Sequence, residues 1–264
     1  MLPYLKDRPL VLVRCPEGRD KNCFYQKHPA AGTPEAFRRV PVRDRTATKN
    51  YVAVDDVAGL ISLAQISALE VHAWGSCAAD LEHPDRLVFD LDPGADVAWP
   101  RVVQSAHQVR QFLEELGLAS FVKTTGGKGL HIVVPIERRH DWEEAKTFCK
   151  RVAELIVAAD PARYTANMSQ AARGGKIYLD YHRNGRGATA VAAFSTRARP
   201  GAPVSVPLAW KELTARTMSD RYTIRNIGKR LASLKHDPWE GIDKVRQTLA
   251  GAAGKLQALS GKRL

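Results

Sequence analysis

Cysteine is scarce in this 264-residue sequence and never clustered: Cys15, Cys23, Cys77 and Cys149 form no Cys-x-x-Cys pair, and no Cys/His group has zinc-site spacing. Thiols scattered in this way are expected to be reduced, which points to a cytoplasmic chain. No apolar run approaches the roughly 18–20 residues that cross a bilayer. Met1-Leu2-Pro3-Tyr4 opens without a charged and then apolar leader, so neither secretion nor a membrane partner is expected. Internal repeats and low-complexity segments are also missing. With 44% hydrophobic and 26% charged residues, the chain is long enough to bury a core without staples, as one large domain or two small ones.

Negative charge is in short supply as well. Forty Lys and Arg against 28 Asp and Glu leave a net charge of +12. The excess is uneven: residues 1–50 carry 11 basic and 5 acidic side chains, residues 51–172 carry 11 and 17, and residues 173–235 carry 13 and 3. An acidic middle between basic flanks favours polyanionic partners, nucleic acid before a membrane surface. A merely soluble basic protein has the same balance.

Leu10 to Arg14 is a β-prone run stopped by Pro16 and Gly18. Polar, proline-bearing chain follows to Asn50, with Phe24 and Tyr25 as adjacent aromatics. Residues 51–54 read as a strand, and Asp55-Asp56 open a helix expected to run through Leu69. Arg86 to Asp92 reads as a strand ended by Pro93-Gly94, and Val102, Ala106, Val109, Leu113 and Leu116 predict a helix that Gly117 closes. Strands at 121–124 and 130–134 flank Gly126-Gly127-Lys128-Gly129, and Asp141 with Glu144 forms a capping box for a helix reaching about Ala159. Residues 177–181 and 190–194 are two more strands, and after Pro207 the chain reads as mostly helical, with a fraying tail. The pattern argues for α+β with a mixed or antiparallel sheet.

Three groups of residues carry chemistry. Asp90 and Asp92 alternate with Leu91 in an apolar strand, so both carboxylates point to one face. Side by side they repel, and each is costly to desolvate; a divalent cation such as Mg²⁺ or Mn²⁺ removes both penalties. Asp180 ends another apolar strand and is the natural third ligand, although Asp before a turn is also common. Thr124 to His131 is a glycine-rich turn with Lys128 at its tip; it suits a phosphate, and reads equally well as a plain β-turn with a solvated lysine. It lacks the spacing of a Walker loop. His131 and His72, in apolar strands, are by default core histidines bonded to backbone. The cations from Arg183 to Arg199 suit a metal-bound triphosphate, or else form a solvated basic loop.

In order, Phe89-Asp90-Leu91-Asp92-Pro93-Gly94, Lys123-Thr124-Thr125-Gly126-Gly127-Lys128-Gly129-Leu130-His131 and Tyr178-Leu179-Asp180-Tyr181 resemble the three motifs of archaeo-eukaryotic primases. They are most similar to the primase-polymerase domain of bacterial ligase D, of non-homologous end joining. Leu10 to Gly18, His72-Ala73-Trp74, Arg186 to Ala190 and Arg197 to Pro203 extend the resemblance over about residues 2–240. It implies an α+β fold in which an RRM-like mixed or antiparallel catalytic sheet with flanking helices packs on a second small α/β module. Residues 1–264 then form one domain, in which an N-terminal α/β module (residues 1–85) precedes a catalytic core (residues 86–235) and a C-terminal helix and tail (residues 236–264).

The resemblance also implies roles. Asp90, Asp92 and Asp180 would hold two divalent metals, Mn²⁺ before Mg²⁺, and His72, Thr125 (often Ser in the family), Lys128, His131, Arg183 and Arg197 would contact an NTP or dNTP. Phe24 and Tyr25 would stack on template bases. Arg14, with Lys21 and Lys27 behind it, would grip a downstream 5′-phosphate, and Arg173 lies in a loop tied to bringing two DNA ends together. The implied activity is addition of nucleotides, ribonucleotides preferred, to a primer 3′ end. A non-catalytic end-binding module and a metal-dependent nuclease are the rival readings. Expected partners are double-stranded DNA ends with a 5′-phosphate, primer-template or gapped DNA, Ku and an ATP-dependent DNA ligase, in the bacterial nucleoid. No ligase or phosphoesterase motif is present, so nick sealing is not expected of these residues.

Overall fold

The computed structural model describes residues 1–44 and 46–261. After a one-turn helix α1 (Leu2–Leu5), strand β1 (Leu10–Arg14) folds back on β2 (Phe24–Gln26), and β3 (Arg38–Arg43) forms a hairpin with β4 (Thr48–Ala53). The sequence reading gave residues 24–43 no strand. Only Val40 and Val42 of β3 are buried, and Pro41 lies between them, so the usual period-two signal is two residues long. Helix α2 (Val57–Gln65) is capped by Asp56, whose carboxylate accepts from Gly59 N. It stops short of the expected Leu69 because Ser67 turns the chain through φ +58°, and Leu69 lies instead in β5 (Ala68–Trp74).

The second half begins with β6 (Arg86–Pro93), α3 (Trp99–Glu115), β7 (Phe121–Thr124), β8 (Leu130–Pro135) and α4 (Trp142–Ala159), all close to expectation. The Asp141–Glu144 capping box is formed in both directions. Short strands β9 (Tyr164–Thr165), β10 (Ile177–Asp180), β11 (Thr189–Val191) and β12 (Pro207–Leu208) follow. Among the described residues the expected mostly helical C-terminus is largely turns, with α5 (Ile227–Ser233) and α6 (Leu249–Gly261) as its α-helices. The tail does not fray over α6: Leu249, Ala252 and Leu256 fall on one face and join the main core. Residues 262–264 of that tail lie outside the described residues.

Two six-stranded sheets result. One runs β11-β5-β1-β4-β3, with β2 also on β1; the other runs β12-β7-β8-β6-β10-β9 and is antiparallel except for β9 on β10. The fold is therefore α+β, with one mixed and one antiparallel sheet. Period-two alternation along β6 sets what each face does. Leu87, Phe89 and Leu91 enter a core shared with α3, α4 and α6, whereas Val88 packs with Tyr4, Val133 and Trp239 on the opposite face, which also bears Asp90 and Asp92. No helix among the described residues is long and apolar enough to cross a membrane.

One expectation is overturned by the register of β1 and β2. Arg14 pairs with Phe24, so the next positions, Cys15 and Cys23, stand opposite each other with Cα atoms 4.3 Å apart and are joined by a disulfide. Spacing alone did not reveal the pair because β2 was not legible as a strand. Cys77 and Cys149 are free thiols.

The two halves are tied by a buried ion pair. Arg8, 4% exposed, donates to Asp85 at 2.6 Å and to the Trp74 carbonyl at 3.3 Å. Burial opposes ionisation of Asp85, but Arg8 and Arg86 outweigh it and hold its carboxyl well below the ordinary range. Asp85→Ala leaves a buried guanidinium unpaired and is expected to cost about 3 kcal/mol, read as a lower urea midpoint with unchanged slope. A depressed carboxyl stabilises above its unfolded pKa, so the gap between wild type and variant should be full at neutral pH and shrink as pH falls below about 4.

Candidate active site

Strand pairing builds a row of functional side chains across the second sheet. Lys123 on β7 pairs with His131 on β8, His131 with Asp90 on β6, and Asp90 with Asp180 on β10. Directly paired residues share a face, so four chemically active groups from four strands stand in one line. Asp92 stands two residues along β6, on the same face. Asn184, 1% exposed, fixes β6 next to the row by accepting from Val88 N at 2.7 Å and donating to Val88 O at 2.9 Å.

Each carboxylate is met by a cation. Arg183 Nε lies 3.3 Å from Asp90 Oδ2 and 3.2 Å from Asp180 Oδ2, bridging them, and Arg173 Nη1 lies 2.5 Å from Asp92 Oδ2. Arg173 also lies over the Tyr178 ring at 4.2 Å. Asp180 Oδ1 accepts from His182 N at 2.8 Å. His131 Nε2 is 3.4 Å from Asp90 Oδ2, and its other ring nitrogen is buried without a hydrogen-bond partner. His131 is thus turned to a carboxylate and not, as expected, to backbone.

Burial opposes ionisation of Asp90, but His131, Arg183 and Lys123 outweigh it and bring its carboxyl down to about 2. Asp92 moves the other way: burial and then the charge of Asp90 raise it, against Arg173 and Lys128. Burial, reinforced by Lys123, lowers His131 to about 4.

Among the described residues, no three His, Cys, Asp or Glu side chains are gathered into a metal cage. The donor chemistry nonetheless fits a hard divalent cation: three carboxylates on one face, two of them bridged by a single guanidinium, in the place where a cation relieves their repulsion.

A cavity of about 260 Å³ opens over this row, lined by Asp90, Asp92, His131, the glycine turn, Lys128, Arg183, Arg197, Arg199 and, from the first sheet, His72. The turn is built inward. Thr125 Oγ1 donates to Gly129 O at 3.1 Å and accepts from Gly127 N at 3.2 Å and Gly129 N at 3.3 Å, so those amides are not aimed at a ligand. Exposed Lys128 remains as the turn's cation. A Cβ at Gly129 would stand 2.1 Å from Leu91 O, which is why glycine is required there. Ser219, which the sequence reading did not single out, holds the turn from outside: it donates to Gly129 O at 2.7 Å and accepts from Thr125 N at 3.3 Å.

The first sheet brings its own residues. Val13 pairs with Tyr25 and with Glu70, and Val11 with His72, so Tyr25, Glu70 and His72 share the face turned to the site. Tyr25 is 70% exposed, its ring centroid 6.4 Å from that of His72. It lines a neighbouring cavity of about 500 Å³ with Lys27, Asp180 and Arg183. Phe24 and Arg14 lie on the other face, away from this cleft. Arg14 donates to Ile66 O at 2.7 Å, beyond the end of α2, and to Gln26 at 2.8 Å, with its guanidinium 5.6 Å from the Phe24 ring. Lys21 is exposed on the loop between β1 and β2. The structure therefore gathers the expected metal and nucleotide residues, with Tyr25 and Lys27, around two adjoining cavities that share Arg183, places Arg173 against Asp92, and leaves Arg14, Phe24 and Lys21 off them.

Sequence reasoning missed Lys123, Glu70 and Ser219 as site residues. Lys123 and Glu70 had a usable signal: each is a charged residue in an apolar strand, on the same alternating face as a residue already chosen. Ser219 had none, since its role depends on a contact 90 residues away. Ser219→Ala removes one of the two bonds made by Thr125 N and one of the three accepted by Gly129 O, and should cost about 1 kcal/mol in urea unfolding.

The family described as LigD, primase-polymerase domain, matches residues 1–239. A multifunctional non-homologous end joining protein LigD of Pseudomonas aeruginosa is 38% identical over 254 residues, which is 96% of this chain and 30% of that protein. A multifunctional non-homologous end joining DNA repair protein LigD of Mycobacterium tuberculosis is 36% identical over 221 residues, 81% of this chain and 29% of that protein. The chain thus spans about 30% of the length of these relatives. Among solved structures, the polymerase domain from Mycobacterium tuberculosis ligase D in complex with DNA superposes with a TM-score of 0.85 at 32% identity, covering 92% of this chain and 87% of that one.

Proposed function

The chain belongs to the LigD primase-polymerase domain family, and from that premise we propose that it is a nucleotidyltransferase of DNA end repair, adding nucleotides, ribonucleotides preferred, to a primer 3′ end. The observation that carries this reading is the pair of adjoining cavities, joined at Arg183, where three strand-borne carboxylates stand with a glycine turn and four cations, Lys128, Arg183, Arg197 and Arg199. A nucleoside triphosphate bound to metal needs both halves of that arrangement: carboxylates for the metal, and cations for the phosphate charge the metal leaves uncovered.

Asp90, Asp92 and Asp180 would hold the divalent ions, Mn²⁺ before Mg²⁺. Such ions, when bound, favour ionisation of the attacking hydroxyl and stabilise the leaving oxygen of an in-line displacement. The chain's own side chains do the rest. Lys128, Arg197 and Arg199 fix the triphosphate, Arg183 serves either the carboxylates or the phosphates, and Tyr25 offers an exposed ring to a base. DNA ends with a 5′-phosphate, in primer-template or gapped form, are the proposed polymer substrate. Ku and an ATP-dependent DNA ligase are the proposed partners.

The test is a primer-template assay with Mn²⁺ and labelled NTP. Lengthening of the primer supports the polymerase, shortening indicates a nuclease, and binding without change indicates an end-binding module. Asp90→Ala should reduce extension at least 10³-fold, the scale lost with a principal transition-state electrostatic contact, while DNA retention at low salt survives through the exposed cations. Extension by Asp90→Ala at the wild-type rate would refute the assignment.

A further inference from the structure

We propose that Glu70 is a positioning residue of the nucleotide pocket, fixing His72 and Arg197 in the orientation that receives a triphosphate. The inference deepens the polymerase reading and rests on it. Glu70 is 6% exposed on β5 and is not among the metal-binding candidates. Its Oε2 lies 2.8 Å from His72 Nε2 and 3.1 Å from Arg197 Nε, and its Oε1 accepts from Ala198 N at 2.9 Å. One carboxylate is thus met by two hydrogen-bond donors, His72 Nε2 and Ala198 N, and by the Arg197 guanidinium in an ion pair; His72 and Arg197 both line the 260 Å³ cavity.

A negative charge beside a triphosphate pocket is unfavourable by simple electrostatics, so its presence calls for a compensating task. The geometry supplies one. An ionised carboxylate only accepts hydrogen bonds, so His72 must carry its proton on Nε2, and both tautomer and ring plane are thereby set. Arg197 is held at two points: Nε against Glu70 of the first sheet, and Nη1 donating to Thr125 O of the second sheet's glycine turn at 2.7 Å. A guanidinium anchored at two edges is a rigid fork, and its remaining Nη2 has no protein partner among the described residues.

The segment carrying Arg197 is stapled to β5 as well. Val71 N donates to Ser195 Oγ at 2.8 Å, and the Thr196 hydroxyl donates to Leu69 O. Three consecutive residues of β5 therefore hold this strap, with Glu70 the charged one among them. Burial alone would raise the Glu70 carboxyl, but His72, Arg197 and the Ala198 amide bring it down to about 2, so it is ionised wherever the protein is folded and working. Preorganising two phosphate ligands in this way lowers the ordering cost of binding.

The test is an equilibrium titration with a fluorescent ATP and Mn²⁺, without primer, on the full chain and on Glu70→Gln and Glu70→Asp. Glutamine keeps the shape and removes the charge; aspartate keeps the charge and withdraws it by one methylene. Positioning predicts that both bind ATP roughly tenfold more weakly, a difference of about 1.4 kcal/mol. In the primer assay KM should rise for both, with kcat within about twofold, the pattern of lost ground-state binding. If Glu70 only offsets the charge of Arg197, Glu70→Gln will bind ATP as tightly as wild type or more tightly, and Glu70→Asp will match wild type; that result overturns the proposal and leaves the polymerase reading standing. Should Glu70→Gln fail to fold, as judged by circular dichroism and Tm, Glu70→Asp alone decides. Failure of the wild-type chain to bind ATP overturns the nucleotide reading, and this proposal with it.

Discussion

Three carboxylates side by side on two adjacent strands cannot all be ionised in a half-buried cleft unless positive charge stands between them. Much of the structure around the cleft answers to that constraint. Arg183 bridges Asp90 and Asp180, and Arg173 reaches Asp92 from a different segment. At Asp92, burial and the charge of neighbouring Asp90 outweigh Arg173 and Lys128, and the carboxyl is pushed up and not down.

The two sheets contribute unequally. The second sheet carries the carboxylate row and the glycine turn on strands whose other face is the main hydrophobic core, so those groups are held by the most deeply buried region of the molecule. The first sheet carries His72, Glu70 and Tyr25, and meets the second through the strap around residues 194–206. Phe194 N donates to Ser205 O at 2.6 Å, and Ser205 Oγ, itself receiving from Lys123 Nζ at 2.7 Å, donates to Thr124 O at 2.8 Å. Buried Lys123 thus serves as a post between the row and the strap. The cleft is an inter-sheet site, and its geometry depends on side-chain bonds that bridge residues far apart in sequence.

That division explains what could be read in the sequence. Asp90 and Asp92 stood out because a strand's alternation is local, and an acid within Leu87-Val88-Phe89 breaks it visibly. The helices α3 and α4 were legible for the same reason, with apolar spacing and a capping box over a few turns. Hairpin β3–β4, the end of α2 and the buried tail were not. Each is decided by something the local pattern does not carry: a proline-bearing edge with two buried valines, one left-handed serine, and a distant core that accepts an Ala/Gly helix. The Cys15–Cys23 bond belongs to this group, since it follows from a register set only once β2 is known.

The net charge of +12 also acquires a finer meaning. Counted along the chain, all forty basic residues are equal; in the fold, two populations stand apart among the described residues. Arg8, Arg14, Arg173, Arg183 and Arg197 are committed to carboxylates or carbonyls inside the protein and contribute to its architecture. Lys21, Lys27, Lys128 and Arg199 are exposed, three of them lining the cavities at the cleft. The second population sets the long-range attraction for a polyanion and its loss with salt, because only exposed cations carry counterions or phosphates that can exchange. A composition-level excess of one sign records the sum of the two populations without separating them.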